Sequence, residues 1–335
     1  MSISMLDEKL PILIRETLDD TGSEKFSNAS PDIIVRKNKY EEDKLVKIFT
    51  RFYDRDISLD RDGSEKMYLY VRFKNTSDKP LTDFYIHLYR NHLGLINRPG
   101  DWEKSEMHTE AGTPVHIGCL DAGKIGATPA FVYDKKTEGA HPNCFVAVAT
   151  RERTPDYSSV NSYDKYIQWV NKPNVAARNV CVISAQSGIY TATAYAVSPD
   201  AKRERWMLLR VRMEEGTPSG VSYGVRQKTF DIDEKRTYIE DDSSTNSITC
   251  EFLMPPGARY PFEIWIEASQ KDLSLVKYNC RLYLEAEFMH GVVFDQYLVD
   301  LNTGLALPND VERLTKTSGC GYLLGCCYFK GIEAR

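Results

Sequence analysis

The stretch EKMYLYVRFKNTSDKP, residues Glu65 to Pro80, decides how the rest of the chain reads. Met67, Leu69, Val71 and Phe73 alternate with Tyr68, Tyr70 and Arg72. Successive side chains of a strand point to opposite faces, so this period of two predicts a strand with one apolar face. The run closes on Asn75, Thr76, Ser77 and Asp78, residue types that build turns. LTDFYIHLYRN follows directly, with Phe84, Ile86 and Leu88 in the same alternation, and predicts the next strand.

Working outward, CFVAVATRE is apolar almost throughout, as expected of a strand covered on both faces. VCVISA, GIYTATAYAV, RWMLLRVRM, SITCEFLM, FEIWIEAS, CRLYLEAEF and GVVFDQYLV continue the series, separated by turn clusters at spacings near those of a sandwich. Helical periodicity is expected in two places only. Residues 5–20 carry Leu6, Leu10, Ile12, Leu13, Ile14 and Leu18 at roughly helical spacing interrupted by Pro11, which predicts one short, broken helix. The polar segment from Ser158 to Asn179 is expected to hold at most a short helical turn. No strand–helix alternation runs along the chain, which disfavours a doubly wound nucleotide-binding fold. The fold class is all-β: two tandem antiparallel β-sandwiches behind a short N-terminal helical segment. The expected division is 1–30 for that segment, 31–184 for the first sandwich and 185–335 for the second, the last boundary falling at the ISAQSG turn.

Composition agrees. A chain of 335 residues fits about two domains. With 42% hydrophobic and 27% charged residues it can bury real cores, and 20 Tyr and 13 Phe favour pleated, half-buried surfaces. Forty-three basic and 48 acidic residues are well mixed with a net charge of −5, so the basic stripe that nucleic acid requires is missing. KRER (Lys202–Arg205) reads as a solvated turn. The N-terminal run LPILI is too short and too flanked by acids for a signal peptide. No stretch approaches the roughly 18 apolar residues of a membrane span. Synthesis in the cytoplasm, with any export leaderless, is the expectation. Eight cysteines, with no CxxC, are expected as reduced thiols, most of them in or beside apolar runs.

The segment from Ser30 to about Val182 resembles the CARDB type of immunoglobulin-like sandwich. The residues carrying the resemblance are SPDIIVR, MYLYVRFKNTSDKPLTDFYIHLY, RPGDWEK, HPNCFVAVATRERTPD and NVAARNVCVI. It implies a non-catalytic sandwich, immunoglobulin-like or jelly-roll-like, used for binding or spacing. The second half shows only a general sandwich pattern.

Two His/Cys pairs pose the sharpest chemical question. HIGC and HPNC supply His116, Cys119, His141 and Cys144, the ligand set of a tetrahedral zinc site. In an extended strand, positions i and i+3 face opposite sides, so each pair must turn sharply to reach one ion. The competing reading makes Cys144 the start of an apolar strand. A thiol nucleophile at Cys144, with His141 or His116 as base and Asp156 as orienting group, meets the same objection, because a thiol opening an apolar strand is inert. GxSxG, GxGxxG and GxxxxGK[ST] do not occur. Asp54, Asp56, Asp60 and Asp62 form an acid-rich stretch whose interleaved Arg55 and Arg61 favour a hairpin tip over a calcium loop.

The tail GCGYLLGCCYFK is read as a last strand, its glycines permitting a bulge. Cys326 and Cys327 would then point to opposite faces. With Cys320, Tyr322 and Tyr328 they mark a candidate interface for a neighbouring subunit. The expected function is a non-enzymatic structural or interaction subunit with a protein partner, self-assembling as a homo-oligomer and using no cofactor. The alternatives are a leaderless toxin or virulence factor attaching to a host surface or membrane, through hairpins such as GIYTATAYAV, and a zinc or thiol enzyme built on the His/Cys pairs.

Overall fold

The computed structural model describes residues 10–22, 30–36, 38–58, 66–92, 99–112, 114–134, 143–160, 163–180, 184–186, 188–198, 202, 204–213, 217–240, 246–269, 277–285 and 321–330. Described residues up to Val180 form one compact unit and those from Ser184 onward a second. Unit 1 runs β1 (Ile12–Leu13), β2 (Ile33–Arg36), α1 (Glu42–Arg51), β3 (Lys66–Asn75), β4 (Leu81–His92), α2 (Pro99–Trp102), β5 (Val115–Leu120), β6 (Ile125–Ala127), β7 (Phe131–Asp134), β8 (Asn143–Thr150), α3 (Tyr163–Val170) and β9 (Val175–Val180). Unit 2 runs β10 (Ser184–Gln186), β11 (Ile189–Val197), β12 (Arg205–Met213), β13 (Ser222–Gln227), β14 (Ile232–Thr237), β15 (Ser247–Met254), β16 (Arg259–Glu267), β17 (Lys277–Glu285) and β18 (Gly321–Lys330). Every strand pairing is antiparallel. The all-β class is the one expected from the alternation.

In unit 1, β3 is paired along its length by β1, β2, β6 and β7, and a second sheet has the order β5-β4-β8-β9. The two sheets share one core. Met67, Leu69, Val71 and Phe73 of β3 meet Phe84, Ile86 and Leu88 of β4 and Phe145, Ala147 and Ala149 of β8. Phe73 and Phe84 pack edge to face with centroids 5.8 Å apart. Gly126 of β6 is required here, because a Cβ on it would lie 2.4 Å from the Phe73 ring.

Both outer faces are covered, which is why β8 is apolar on both sides. Over the first sheet lies α1. Its Leu45 and Phe49, one turn apart, bury against Ile34, Tyr70 and Ala130. Arg72, fully buried, fastens the end of this helix. It donates to Asp32 Oδ1 (2.6 Å) and to the carbonyls of Phe49 (3.3 Å), Phe52 (2.8 Å), Pro31 (3.2 Å) and Arg55 (3.4 Å). Those five acceptors match the five N–H groups of a guanidinium. Asp32 also accepts from the Arg15 backbone N–H (2.9 Å), Nε (3.0 Å) and Nη2 (2.8 Å). The Tyr53 ring lies against Arg15, 3.5 Å from guanidinium carbon to centroid. Burial is the main reason its phenol is pushed up to about 12.

Two expectations need correction. Residues 10–14 are extended, not helical: β1 pairs with the end of β3 (Ile12 with Asn75, Leu13 with Lys74). Leu10, Ile12, Leu13 and Ile14 are all buried, whereas a helix would turn part of that run outward. The part of the expected helix before Leu10 lies outside the described residues. Conversely, α1 and α3 occupy segments where no helix of that length was expected.

In unit 2 one sheet has the order β10-β11-β16-β13-β14 and the other β15-β12-β17-β18. Phe252 of β15 faces Phe262 of β16 with centroids 5.0 Å apart, so these sheets also pack face to face. Alternate residues of β15 are buried (Ile248, Cys250, Phe252, Met254). On the outer face of β16, Trp265 lies over Gly224, where a Cβ would come within 2.4 Å of the indole. Strand β18 lies at the edge beside β17, with a register shift at Leu282/Tyr283 next to Gly325, the bulge its glycines permit.

Candidate functional site

The outer face of β4 and β8 in unit 1 is roofed by α2, α3 and their flanking loops, and aromatic side chains fill the space beneath. Tyr89 packs 4.6 Å from Trp102, which lies 5.3 Å from Tyr157 and 5.6 Å from Trp169, centroid to centroid. Each of the four rings is at most 5% exposed. The segment after α2 is stitched to β4 by Arg90 N–H donating to Ser105 O (3.0 Å) and Met107 N–H donating to Leu88 O (2.8 Å).

Between this segment and the loop after β8 opens a recess of about 390 Å³, lined by Tyr89, Glu103, Lys104, Glu106, Pro114, Arg153, Thr154, Pro155 and Tyr157. Its volume falls within the range of small-molecule and side-chain pockets. Tyr157 donates to the Tyr89 hydroxyl at 3.2 Å. Burial, far more than any neighbouring charge, holds the Tyr89 phenol well above its usual value, so it stays a protonated donor. Behind the wall, fully buried His87 has Nδ1 2.8 Å from Glu106 Oε1 and Nε2 3.2 Å from the Glu152 carbonyl.

The sequence-predicted site residues do not converge. His116 stands opposite Tyr85 of β4, whereas Cys144 stands opposite Asn91 of the same strand. Six residues of strand separate those positions, about 20 Å, against metal–ligand bonds of about 2.0–2.3 Å. The four-ligand zinc arrangement is therefore not assembled. His141 lies outside the described residues. Cys144 is fully buried on the face of β8 opposite Phe145. Asp156, offered as an orienting group, accepts instead from Ser158 N–H (2.8 Å) and Oγ (2.9 Å), bonds that hold its carboxyl below the usual range. Among the described residues no three His, Cys, Asp or Glu side chains gather as a metal would require.

HIGC itself behaves unexpectedly. Asp83 has φ of 51°, a left-handed conformation rare outside glycine. Leu81 and Phe84, three apart, both enter the core, and so do Ile117 and Leu120 across the pairing. Alternation flips at this kink, leaving Cys119 and His116 both exposed, with His116 Nε2 3.4 Å from Asp83 Oδ1. The opposite-face argument fails for this pair.

Asp56 is not a free calcium ligand, since it pairs with buried Arg178 at 3.0 Å; Asp60 and Asp62 lie outside the described residues. In the tail, Tyr322, Cys326, Cys327 and Tyr328 fall on the edge strand β18, and Cys320 lies outside the described residues. The recess residues carried no local motif: Tyr89 and Tyr157 are 68 positions apart. The one signal was Trp102 embedded in the charged run RPGDWEK.

No protein-family model and no curated protein matches the chain. Among solved structures it is similar to red sea bream transglutaminase, at 8% identity and a TM-score of 0.21, covering 73% of this chain and 32% of that one. It is also similar to the collagen adhesin from S. aureus, at 10% identity and a TM-score of 0.19, covering 78% of this chain and 89% of the other. The collagen-binding domain of the Erysipelothrix rhusiopathiae surface protein RspB matches at 9% identity and a TM-score of 0.20, with 81% and 93% covered. The chain thus spans about a third of the transglutaminase's length. Likenesses at these TM-scores decide nothing about activity. The class that the structure itself defines is an all-β protein of two antiparallel sandwiches, the first bearing a recess lined by charged side chains with Tyr89 and Tyr157.

Proposed function

We propose that this chain is a non-enzymatic binding subunit whose first sandwich, of the CARDB-like type, engages a protein partner through the recess beside Tyr89 and Tyr157. The observation that carries the reading is the support behind the recess. Its two tyrosines are buried against Trp102 and Trp169, so the walls are rigid before any ligand arrives. The buried rings fix the shape of the recess, and exposed Arg153 and Thr154 at its rim are the side chains a partner would reach, so little ordering is left to occur on binding.

Selection of a random displayed peptide library on the full chain tests this, with counter-selection on Thr154→Trp. Thr154 is exposed at the rim, so the indole fills the recess without entering a core. Clones that lose at least about tenfold in affinity on the plugged variant are expected. Enrichment of clones that bind both forms equally refutes the assignment.

A second reading concerns self-association. Strand β18 ends the order β15-β12-β17-β18, leaving one backbone edge unpaired among the described strands. Such edges template pairing with another copy. Sedimentation velocity across a hundredfold concentration range should show a dimer that Pro substitution at Tyr328 removes. A monomer throughout excludes it.

A further inference from the structure

We infer that Cys280 and Cys327 form a disulfide that staples the edge strand β18 to β17 when a small-molecule disulfide is present as oxidant. The inference is independent of the recess and comes from the register of unit 2. Residues 277–282 of β17 pair without interruption against 325–330 of β18, and within that run Cys280 stands directly opposite Cys327. Directly opposed residues of antiparallel strands have Cα atoms about 4.5 or 5.5 Å apart, according to the kind of pair they make. Disulfides need about 4.4–6.8 Å, so the backbone already holds both cysteines within bonding range. The two also share a face of the sheet. Cys280 is opposite Val211 of β12, which is opposite Ile248 of β15, and both of those are buried in the core. Cys280 and Cys327 continue that row.

The same register excludes nearby alternatives. Cys326 stands opposite Arg281, one position along, and so belongs to the other face. Cys250 is on β15, two strands from β17, about 10 Å across the sheet and beyond the roughly 7 Å that a disulfide tolerates between Cα atoms. Among the described strands β18 is paired by β17 alone, and a strand held on one side opens more readily than a central one. The crosslink fixes it covalently and closes the chain from 280 to 327 into a loop, which restricts the unfolded state more than the folded one. The chemistry is thiol–disulfide exchange. One cysteine thiolate attacks oxidised glutathione and expels a glutathione thiolate; the second attacks the mixed disulfide and expels the other. The protein loses two electrons and two protons, and oxidised glutathione is reduced to two thiols.

To test this, the native full chain is equilibrated with oxidised glutathione or with dithiothreitol, its free thiols are alkylated, and the tryptic peptides are mapped by mass spectrometry. After oxidation, peptide 278–281 is expected to be joined to peptide 317–330 at Cys327, and dithiothreitol should release it. Calorimetry should show the unit 2 midpoint about 5–10 °C higher in the oxidised chain. Cys326→Ser should keep both the bond and the shift, and Cys327→Ser should lose both. The mapping and the oxidised-against-reduced comparison need no variant, so a substitution that fails to fold leaves the outcome decided. Cys280 recovered alkylated after oxidation, or bonded to any cysteine other than Cys327 of its own chain, overturns the inference. An oxidised midpoint equal to the reduced one overturns the stapling.

Discussion

Replacing Arg72 by Met gives the sharpest test of how unit 1 is held together. The side chain is fully buried and spends all five of its N–H groups on Asp32 and four backbone carbonyls. Methionine of similar length fills most of the space but returns none of those bonds. Asp32 keeps the bidentate Arg15, so one ion pair survives at 2.8 Å. The carbonyls of Phe49 and Phe52, at the end of α1, lose the donor that ties them to β3. Breaking one side of a buried ion pair costs about 3–5 kcal/mol, and the freed carbonyls push the figure toward the upper end. In a unit of this size each kcal/mol moves the midpoint by about 2–4 °C, so a fall on the order of 10 °C is expected. Differential scanning calorimetry of the full chain reads the unit 1 transition directly. Arg226→Met provides the contrast: that side chain is 49% exposed, its partners Asp233 and Glu263 lie 3.1 and 3.3 Å away, and its loss should cost below about 1 kcal/mol. If Arg72→Met costs no more than Arg226→Met, the network is not what fixes α1 to the sheet.

Three further outcomes are expected. Gly126→Ala should destabilise unit 1 by about 1–3 kcal/mol in urea unfolding, because its Cβ would meet the Phe73 ring at 2.4 Å in a packed core; an unchanged midpoint would show that Phe73 moves freely. Alkaline titration should weaken unit 2. Burial pushes the Cys250 thiol up to about 12, whereas an unfolded thiol ionises near 9, so between those values the unfolded chain binds fewer protons and stability falls as pH rises. Cys250→Ala should flatten that fall, by up to about 1.4 kcal/mol per pH step, and an identical profile for the variant would contradict the burial. Finally, a fragment of residues 1–184 should fold alone while 31–184 should not, since the latter lacks Leu10, Ile12 and Ile14 of the core; circular dichroism distinguishes them, and a cooperatively folded 31–184 would refute it.

Local alternation carried most of the fold. The inward set of β3, Met67 to Phe73, and the doubly covered CFVAVA run both read directly, because strand period and burial are properties of neighbouring residues. Helix α1 was legible too: Leu45, Ile48 and Phe49 repeat at helical spacing behind Glu42 and Asp43, an acidic first turn. It was masked by the strands on either side of it. LPILI misled in the opposite direction, since a short apolar run buried all round looks the same in either conformation. The kink at Asp83 could not be read, because a left-handed aspartate is imposed by its surroundings and leaves no mark in composition. The recess is similar in kind. Its Glu106, His87 and Glu152 carbonyl come from three segments far apart in the chain and meet only in the folded unit.

Hydrogen exchange on the full chain, with and without a recess-dependent peptide, tests the central claim most directly. Protection is expected in two separated segments, 103–107 after α2 and 152–157 after β8, with exchange in unit 2 unchanged. Protection confined to the edge strands of unit 2, with both of those segments unaffected, would contradict the assignment.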